Sequence, residues 1–409
     1  MGVKNALAEE ACNRSICMLM YRSLPQTFRR LVVANSIRKK YSNVDVFCIR
    51  EGEQPRYEDI NNINCIRVPI YFKPTDSGVK QLIKFNLYTF YALAGLLKAQ
   101  MRKRYSIIHV HNPPDFIIFA ALPFKILFGS KIILDLHDML PEIVASEFEL
   151  DEGHLIIKFT KLIEKMAVGF SDAVICTNYY DKEIVMSRNS IRPEKIFVMY
   201  NSPDMNILTI EQSEKEDYGL EGKFVIVFEG WLLERRGVHT VIEAIEKVKD
   251  RIPAVFIILG DGPYLSALEG VVQRKNLTND VIFKGWVDFK TLSEYLSVAD
   301  ACIIPFLDTE VNRRGVPNKL FEYIVHGKPV LSSNLKGIAS TFNDKEITFF
   351  EPGNADDLAG RILWCYDNPE LLKTKVAAAK HRYFAEYTWE KMEEELYRCY
   401  ESLTGSVQQ

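Results

Sequence analysis

Four segments of this chain carry side chains able to bind or move charge, and each lies at or near the end of a short apolar run. Glu322 is a lone carboxylate inside the helical stretch "PNKLFEYIVHGKPVL" (317–331). Pro317 or Asn318 opens that helix, Gly327 ends it and Pro329 prevents continuation. An acid in the first two turns can point back to the helix N-terminus and accept hydrogen bonds from two vicinal hydroxyls, as on a ribose. The plainer alternative is an exposed glutamate favoured by the helix dipole. In "FEGWLLERRGVHTVIEAIEKV" (228–248) a strand ends at Gly230, a loop carries Arg235 and Arg236, and a helix starts near Val238. Free amides plus a guanidinium there form an anion site suited to a diphosphate, although two solvated arginines on a turn would read the same way.

The third segment, "LGDGPYLSALE" (259–269), runs a strand into Gly260, Asp261 and Gly262, with Pro263 opening a helix. Small residues let backbone approach a ligand closely, as would an ordinary tight turn. Neither the G-x-G-x-x-G pattern nor a Walker A sequence occurs, so dinucleotide and P-loop ATP binding are not signalled. The fourth pairs "HVHNPPDF" (109–116) with "LDLHDMLPE" (134–142), placing His111 and His137 at strand ends, with Asp138 and Glu142 close to His137. Two histidines at the ends of neighbouring strands face one cleft, whereas a single one is often a turn cap. No Ser or Cys nucleophile accompanies them, which leaves a hydrolase triad unsupported, and the spacing is too open for a metal site.

These residues need strands and helices to hold them. Apolar runs fall at 15–21, 44–49, 65–70, 106–111, 131–137, 172–177 and 195–200, then at 223–230, 254–260, 280–285, 300–306 and 329–333. They are nearly continuous rather than alternating, which indicates parallel sheets covered on both faces. Helical patterns separate them, as crossovers require. The expectation is an α/β chain with two doubly wound Rossmann-like domains: residues 1–200, a polar linker at 201–222, a second domain at 223–385, and a terminal helix at 386–409. Ligands in such folds lie outside the carboxyl ends of the strands, in the cleft between the sheets.

Composition sets wider bounds. At 409 residues, with 47% hydrophobic and 26% charged residues, the chain is too long for one ordinary core and has the make-up of a globular enzyme. Net charge is −3, but residues 1–200 carry +6 and the rest −9, so the halves suit different partners. The eight cysteines form no C-x-x-C pair and read as reduced core residues, giving a cytoplasmic expectation. "MGVKNALAEEACNRS" lacks a signal-peptide core and Gly2 lacks the Ser or Thr at position 6 that myristoylation needs. No uncharged apolar run is long enough to span a bilayer. The aromatic-rich stretch "VKQLIKFNLYTFYALAGLLKAQMRKRY" (79–105) ends in Arg102, Lys103 and Arg104. It reads either as a helix lying on an anionic membrane or as a buried helix of the first domain.

Taken together, "ERRGVHTVIEA", "FIILGDGP", "VIFKGWV", "YLSVADACIIPF" and "KLFEYIVHGKPVL" resemble the nucleotide-sugar domain of glycosyltransferase family 4, the retaining GT-B enzymes. "IIHVHNPPDF", "DLHDMLPE" and "VMYNSPD" extend the resemblance to the first half. It implies a GT-B fold whose sheets face a central cleft. It further implies transfer of a sugar from a nucleotide diphosphate donor, with uridine expected as the base, to a glycan or lipid-linked hydroxyl. Retention of configuration is implied, with no cofactor and no metal. Residue by residue, Arg236 matches the basic residue on the donor diphosphate. Glu322 matches the second glutamate of the E-x7-E motif, on the ribose. His137 matches a histidine beside the transferred sugar. Gly315, Val316, Pro317 and Asn318 match a loop that donates backbone N–H groups, with Lys319 supplying part of the charge. His111 and Asp138 fall on the acceptor side, and the terminal helix crosses back to the first domain. Three positions depart from the pattern: Arg314 stands where the first motif glutamate belongs, Trp231 replaces an arginine after Gly230, and "MYRSLPQTFRRL" (20–31) lacks a glycine-rich loop. The first two motivate an alternative, a catalytically weak subunit that binds a nucleotide sugar or glycan and supports a partner transferase. The expected location is cytoplasmic, with peripheral contact at the inner face of the membrane and no nucleic-acid partner.

Overall fold

A computed structural model describes residues 14–25, 28–71, 78–148, 150–203, 205 and 210–404. Most of the N-terminal segment considered for targeting, Cys12, and linker positions 204 and 206–209 lie outside these residues. The chain divides into two compact units, residues 1–200 with 392–409, and residues 201–391.

The first unit is built on an eight-stranded sheet. Its strands are β1 (Ser15–Met20), β2 (Asn43–Arg50), β3 (Tyr57–Ile60), β4 (Ile63–Tyr71), β5 (Tyr105–His111), β6 (Lys131–Leu136), β7 (Ala173–Cys176) and β8 (Ile196–Val198). They lie in the order β3-β4-β2-β1-β5-β6-β7-β8. Every pairing is parallel except β3 with β4. The central strands are buried along their length because helices cover both faces, which is why they read as unbroken apolar runs. β3, "YEDI", gives no such signal: it is a short, exposed, acidic edge strand. The helices are α1 (Phe28–Lys40), α2 (Gly78–Lys103), α3 (Ile118–Phe128), α4 (Leu140–Glu147), α5 (Leu155–Phe170) and α6 (Tyr179–Asn189).

The second unit has six parallel strands, β9 (Phe224–Glu229), β10 (Ala254–Leu259), β11 (Val281–Gly285), β12 (Ala301–Ile304), β13 (Val330–Ser333) and β14 (Thr348–Phe350), ordered β11-β10-β9-β12-β13-β14. Its helices are α7 (Val238–Val248), α8 (Leu265–Arg274), α9 (Phe289–Val298), α10 (Glu310–Arg314), α11 (Asn318–Val325), α12 (Lys336–Ala339), α13 (Ala355–Asp367) and α14 (Pro369–Arg382). β14 is not among the expected strands: its short run at 347–350 is hemmed in by Glu346 and Glu351, whereas the run around three-residue β8 continues to Tyr200. The described end of the expected linker packs on this unit: the Glu211 and Ser213 amides donate to Ser293 Oγ (2.7 Å) and Ser297 Oγ (3.0 Å), and Lys215 pairs with Asp300 at 2.6 Å.

The last helix, α15 (Trp389–Thr404), belongs to the first unit from Met392 onward. There Tyr397 donates to the Ser36 carbonyl (2.8 Å) and Glu393 pairs with Lys39 (2.8 Å). In each sheet the strand order reverses direction once, between β1 and β5 and between β9 and β12. Those switch points are where an open parallel sheet leaves room for a ligand. The described cysteines are buried free thiols. No helix among the described residues is long and apolar enough to cross a membrane.

Candidate active site

In the second unit the switch point gathers charge. β9 ends in Glu229, with Gly230 next, and Phe306 lies two residues beyond the end of β12. α11 begins at Asn318 with no side chain capping its first amides. Lys319, in the first turn of α11, reaches back to β9: its ammonium donates to the Glu229 carbonyl and lies 3.6 Å from Glu229 Oε1. It also sits 4.3 Å from the Phe228 ring centroid. Gly230 makes that reach possible. Its φ is +129°, and a Cβ there would come within 2.6 Å of Lys319 Nζ.

The two neighbouring arginines separate into different jobs. Arg235 is tied into the loop, donating to Asn312 Oδ1 (3.3 Å) while Asn312 Nδ2 donates to its carbonyl (2.7 Å). Arg236 instead lays its guanidinium 4.2 Å over the Phe306 ring, the same ring that Lys319 approaches at 5.6 Å. Two cations thus share one aromatic platform. Burial, and then Arg235, lower the Arg236 pKa to about 10, which leaves it charged at neutral pH. Lys319 is also lowered, by burial first. Glu322, half-buried on the next turn of α11, is raised to about 7 by burial and by Glu229, against the pull of Lys319. Arg236, Lys319 and Glu322 therefore surround Glu229, a residue that sequence reasoning passed over as a strand end. Its only prior signal was an acid closing an apolar strand before glycine.

The Gly-Asp-Gly turn has structural employment. With φ +152° at Gly260, a Cβ would lie 2.0 Å from the Gly230 carbonyl oxygen. Asp261 accepts from the Gly262 amide through Oδ1 (2.6 Å) and from the Leu232 amide through its carbonyl (2.8 Å). The turn locks the 260–262 loop against the 230–232 loop. Gly315 and Asn318 are exposed, and Val316 and Pro317 half-buried, on the link from α10 to α11. Arg314, at the position of the missing glutamate, is buried at the end of α10. Glu310, out of register with the motif, is exposed and pairs with Arg313.

In the first unit the histidines close around one buried acid. His111 ends β5 and His137 follows β6, its register neighbour, and His111 Nδ1 lies 2.9 Å from His137 Nε2. Asp135, on β6, places Oδ2 3.2 Å from His111 Nδ1, 3.4 Å from His137 Nε2 and 3.6 Å from His109 Nε2. Arg29 is 3.6 Å from its other oxygen, and Tyr400 of α15 lies 2.9 Å from His109 Nδ1. Burial alone would raise the Asp135 pKa, but His137, Arg29 and the facing nitrogens of His109 and His111 carry it well below the carboxylate range. Burial lowers His111 to about 3 and takes His137 well below its ordinary value. Of the three histidines His137 alone is partly open, with its side chain 10% exposed. Asn112 fixes its backbone by accepting from the His137 amide (2.6 Å). Asp138 is exposed, and Glu142 turns away to Arg188.

His109, His111 and Asp135 would also offer three ligand atoms within 4.8 Å of one another, tighter than the sequence spacing promised. The His109 and His111 rings are stacked, 4.2 Å and 19° apart. Both facing nitrogens already turn to the same Asp135 oxygen, and Arg29 supplies positive charge beside the other one. The set fits a clamped carboxylate better than a metal centre. Sequence reasoning missed Asp135 and His109 because both sit inside apolar strands. The available signal was the polar residue itself, buried in a parallel sheet, where charge must be paired.

Two doubly wound parallel-sheet units, with charge gathered at a switch point of each, are the architecture of GT-B glycosyltransferases. A structure of Anabaena Alr3699/HepE in complex with UDP superposes with a TM-score of 0.71 at 16% identity, covering 95% of this chain and 100% of that one. The family model described as Glycosyltransferase Family 4 matches residues 32–206, and the one described as Glycosyl transferases group 1 matches residues 223–368. An uncharacterized glycosyltransferase of Methanocaldococcus jannaschii, MJ1607, is 23% identical over 90% of this chain and 92% of its own. The UDP-Gal:alpha-D-GlcNAc-diphosphoundecaprenol alpha-1,3-galactosyltransferase of Escherichia coli is 24% identical over 72% of each. The chain belongs to the glycosyltransferases of family 4 type.

Proposed function

We propose that this glycosyltransferase takes a sugar from a UDP-linked donor and passes it, with retention of configuration and without a metal ion, to a glycan or lipid-linked acceptor hydroxyl. One observation carries the reading: Arg236 and Lys319 converge on Phe306 beside the α11 N-terminus, one turn from Glu322. Two fixed cations and uncapped amides suit a diphosphate, and a half-buried carboxylate suits the vicinal hydroxyls of a ribose. The UDP-bound relative and the UDP-Gal-dependent one support the choice of donor.

In this reading the anomeric C–O bond to the diphosphate breaks, and Arg236, Lys319 and the α11 amides take up the growing negative charge. That positive clamp does the work a divalent cation does in other transferases. The acceptor hydroxyl adds on the face the diphosphate is leaving, and its proton passes to the departing phosphate oxygen. No side chain is needed as nucleophile. On the first unit, His137 is the side chain offered to a reacting sugar, a neutral imidazole whose orientation Asp135 holds; exposed Asp138 is the acceptor-side candidate, and enclosed His111 supports His137 from behind. The Gly315–Asn318 link contributes backbone donors.

A thermal-shift screen of nucleotide sugars tests the donor assignment. UDP-sugars are expected to raise the melting temperature of the native protein and not of Arg236→Ala; an equal shift in both refutes the diphosphate role. Transfer or donor hydrolysis by the purified chain separates an enzyme from the supporting-subunit alternative that Arg314 and Trp231 raise.

A further inference from the structure

The helix read from the sequence as either buried or membrane-facing is apolar on two opposite sides. On its inner side α2 packs Tyr88, Ala92 and Leu96 into the core of the first unit. On its outer side Ile83, Leu87, Phe90, Leu97 and Met101 are exposed, Phe90 at 66% and Met101 at 80%. Steps of four, three, seven and four residues put these side chains on one stripe. At about 100° per residue, Lys80, Lys84, Lys98 and Arg102 fall roughly 60–100° to one side of it.

α5 repeats the arrangement. Ile157, Ala167 and Val168 face inward, while Leu155, Phe159, Leu162 and Met166 form an exposed stripe, Leu155 at 80%. Lys158 and Lys165 border it and are exposed. α3 packs against both α2 and α5 and ends in exposed Ile126, Leu127 and Phe128. α2 and α5 therefore turn apolar stripes outward, and the C-terminal end of α3, which packs on both, adds three exposed apolar residues. Apolar side chains exposed in stripes, rather than singly, mark an interaction surface.

Charge decides what covers it. α2 and α3 contain no acidic residue, and the one acid of α5, Glu164, is buried and paired with Arg188 at 2.9 Å. A second copy docking through the same patch would set lysine against lysine, since a two-fold interface is self-complementary. We infer that the α2–α3–α5 face is a docking surface for an anionic lipid bilayer, with the apolar stripes entering the headgroup boundary and the lysine borders meeting lipid phosphates. The inference does not rest on the donor site, which lies in the other unit.

The test is co-sedimentation of the full chain with phosphatidylcholine vesicles, with and without phosphatidylglycerol. Strong binding is expected only with the anionic lipid. Phe90→Asp with Phe159→Asp should lower it about tenfold or more, because both side chains are exposed and their burial drives insertion. Lys98→Glu with Arg102→Glu should remove the preference for anionic lipid. Neither pair should alter the thermal shift given by UDP-sugars, which also reports that the variants are folded. No binding to anionic vesicles, or equal binding by the aspartate pair, overturns the inference. So does a dimer in sedimentation velocity that the aspartate pair dissolves while vesicles fail to bind, which would make the face a self-interface. Loss of donor binding with vesicle binding intact would sink the donor reading alone.

Discussion

Both units collect charge at the carboxyl ends of their strands, but they treat it in opposite ways. The first encloses it: Asp135, His109 and His111 have no solvent exposure, and half-buried Arg29 balances the carboxylate. The second leaves it open: Arg236, Glu229 and Glu322 are partly accessible, and two cations crowd the same ring. An enclosed, balanced set cannot take up an ionic ligand, because its charges already answer one another. In the open set Glu229 partly answers the cations, but solvent reaches them, so they can exchange partners when an anion arrives. The first arrangement is therefore built to orient one group, His137, and the second to bind.

Asp135 gives the sharpest way to break that comparison. Asp135→Ala removes the buried carboxylate that answers Arg29 and the facing histidine nitrogens and should cost about 3–5 kcal/mol in a urea melt. Asp135→Asn keeps the volume and should fold better while lowering the transfer rate far more than donor affinity. If Asp135→Asn weakened donor binding as much as turnover, the enclosed cluster would be a binding element and the contrast would fail.

Arg236→Ala should do the reverse. Removing one charge-assisted contact to a diphosphate is worth about 1.5–3 kcal/mol, or roughly tenfold to a hundredfold in donor affinity by calorimetry. Its own fold should barely change, because the guanidinium rests on Phe306 without an ion pair to break. A melt that moved as far as that of Asp135→Ala would mean the open site is structural.

Glu322 adds a pH signature. Its folded pKa of about 7 lies above the unfolded carboxyl value, so the folded state holds the proton more tightly. The stability this contributes is complete below the unfolded value and lost as pH rises through about 7. Glu322→Gln should therefore melt higher than the native protein at pH 8 and draw level near pH 5, while binding donor several-fold more weakly. Ribose hydroxyls need the ionised acceptor, so native donor affinity should climb across the same interval. A flat affinity profile would remove Glu322 from the ribose.

The sequence made the skeleton of this comparison legible and hid its details. Unbroken apolar runs such as "CIIPF" and "KIILDLH" betray buried parallel strands, and Arg236, Glu322 and His137 stand out because charge interrupts them at strand or helix ends. β3 was invisible because an acidic edge strand has no buried face, and β14 because its apolar run is cut short between Glu346 and Glu351. Glu229 and Asp135 were harder still. Their roles come from partners ninety residues on, at Lys319, and over a hundred residues back, at Arg29, and only the folded register brings those together. Tyr400, which reaches His109 from the last helix, is the extreme case, 291 residues away.

The smallest expected effect tests how incomplete the open site is. Trp231 follows Gly230 where the family pattern carries an arginine, and its side chain is 59% exposed. An aromatic this exposed can be replaced at a cost within about 0.5 kcal/mol. Trp231→Arg would add a third guanidinium or ammonium near Arg236 and Lys319. Without ligand, like charges oppose one another and the variant should melt slightly lower. With a diphosphate present the added cation has a partner, and donor affinity should rise about two- to fivefold, the worth of one partly exposed ionic contact. The gain should fade with added salt, since the contact is near the surface. A loss of affinity instead would show that the tryptophan ring contacts the donor, and that the second unit binds partly through stacking rather than charge alone.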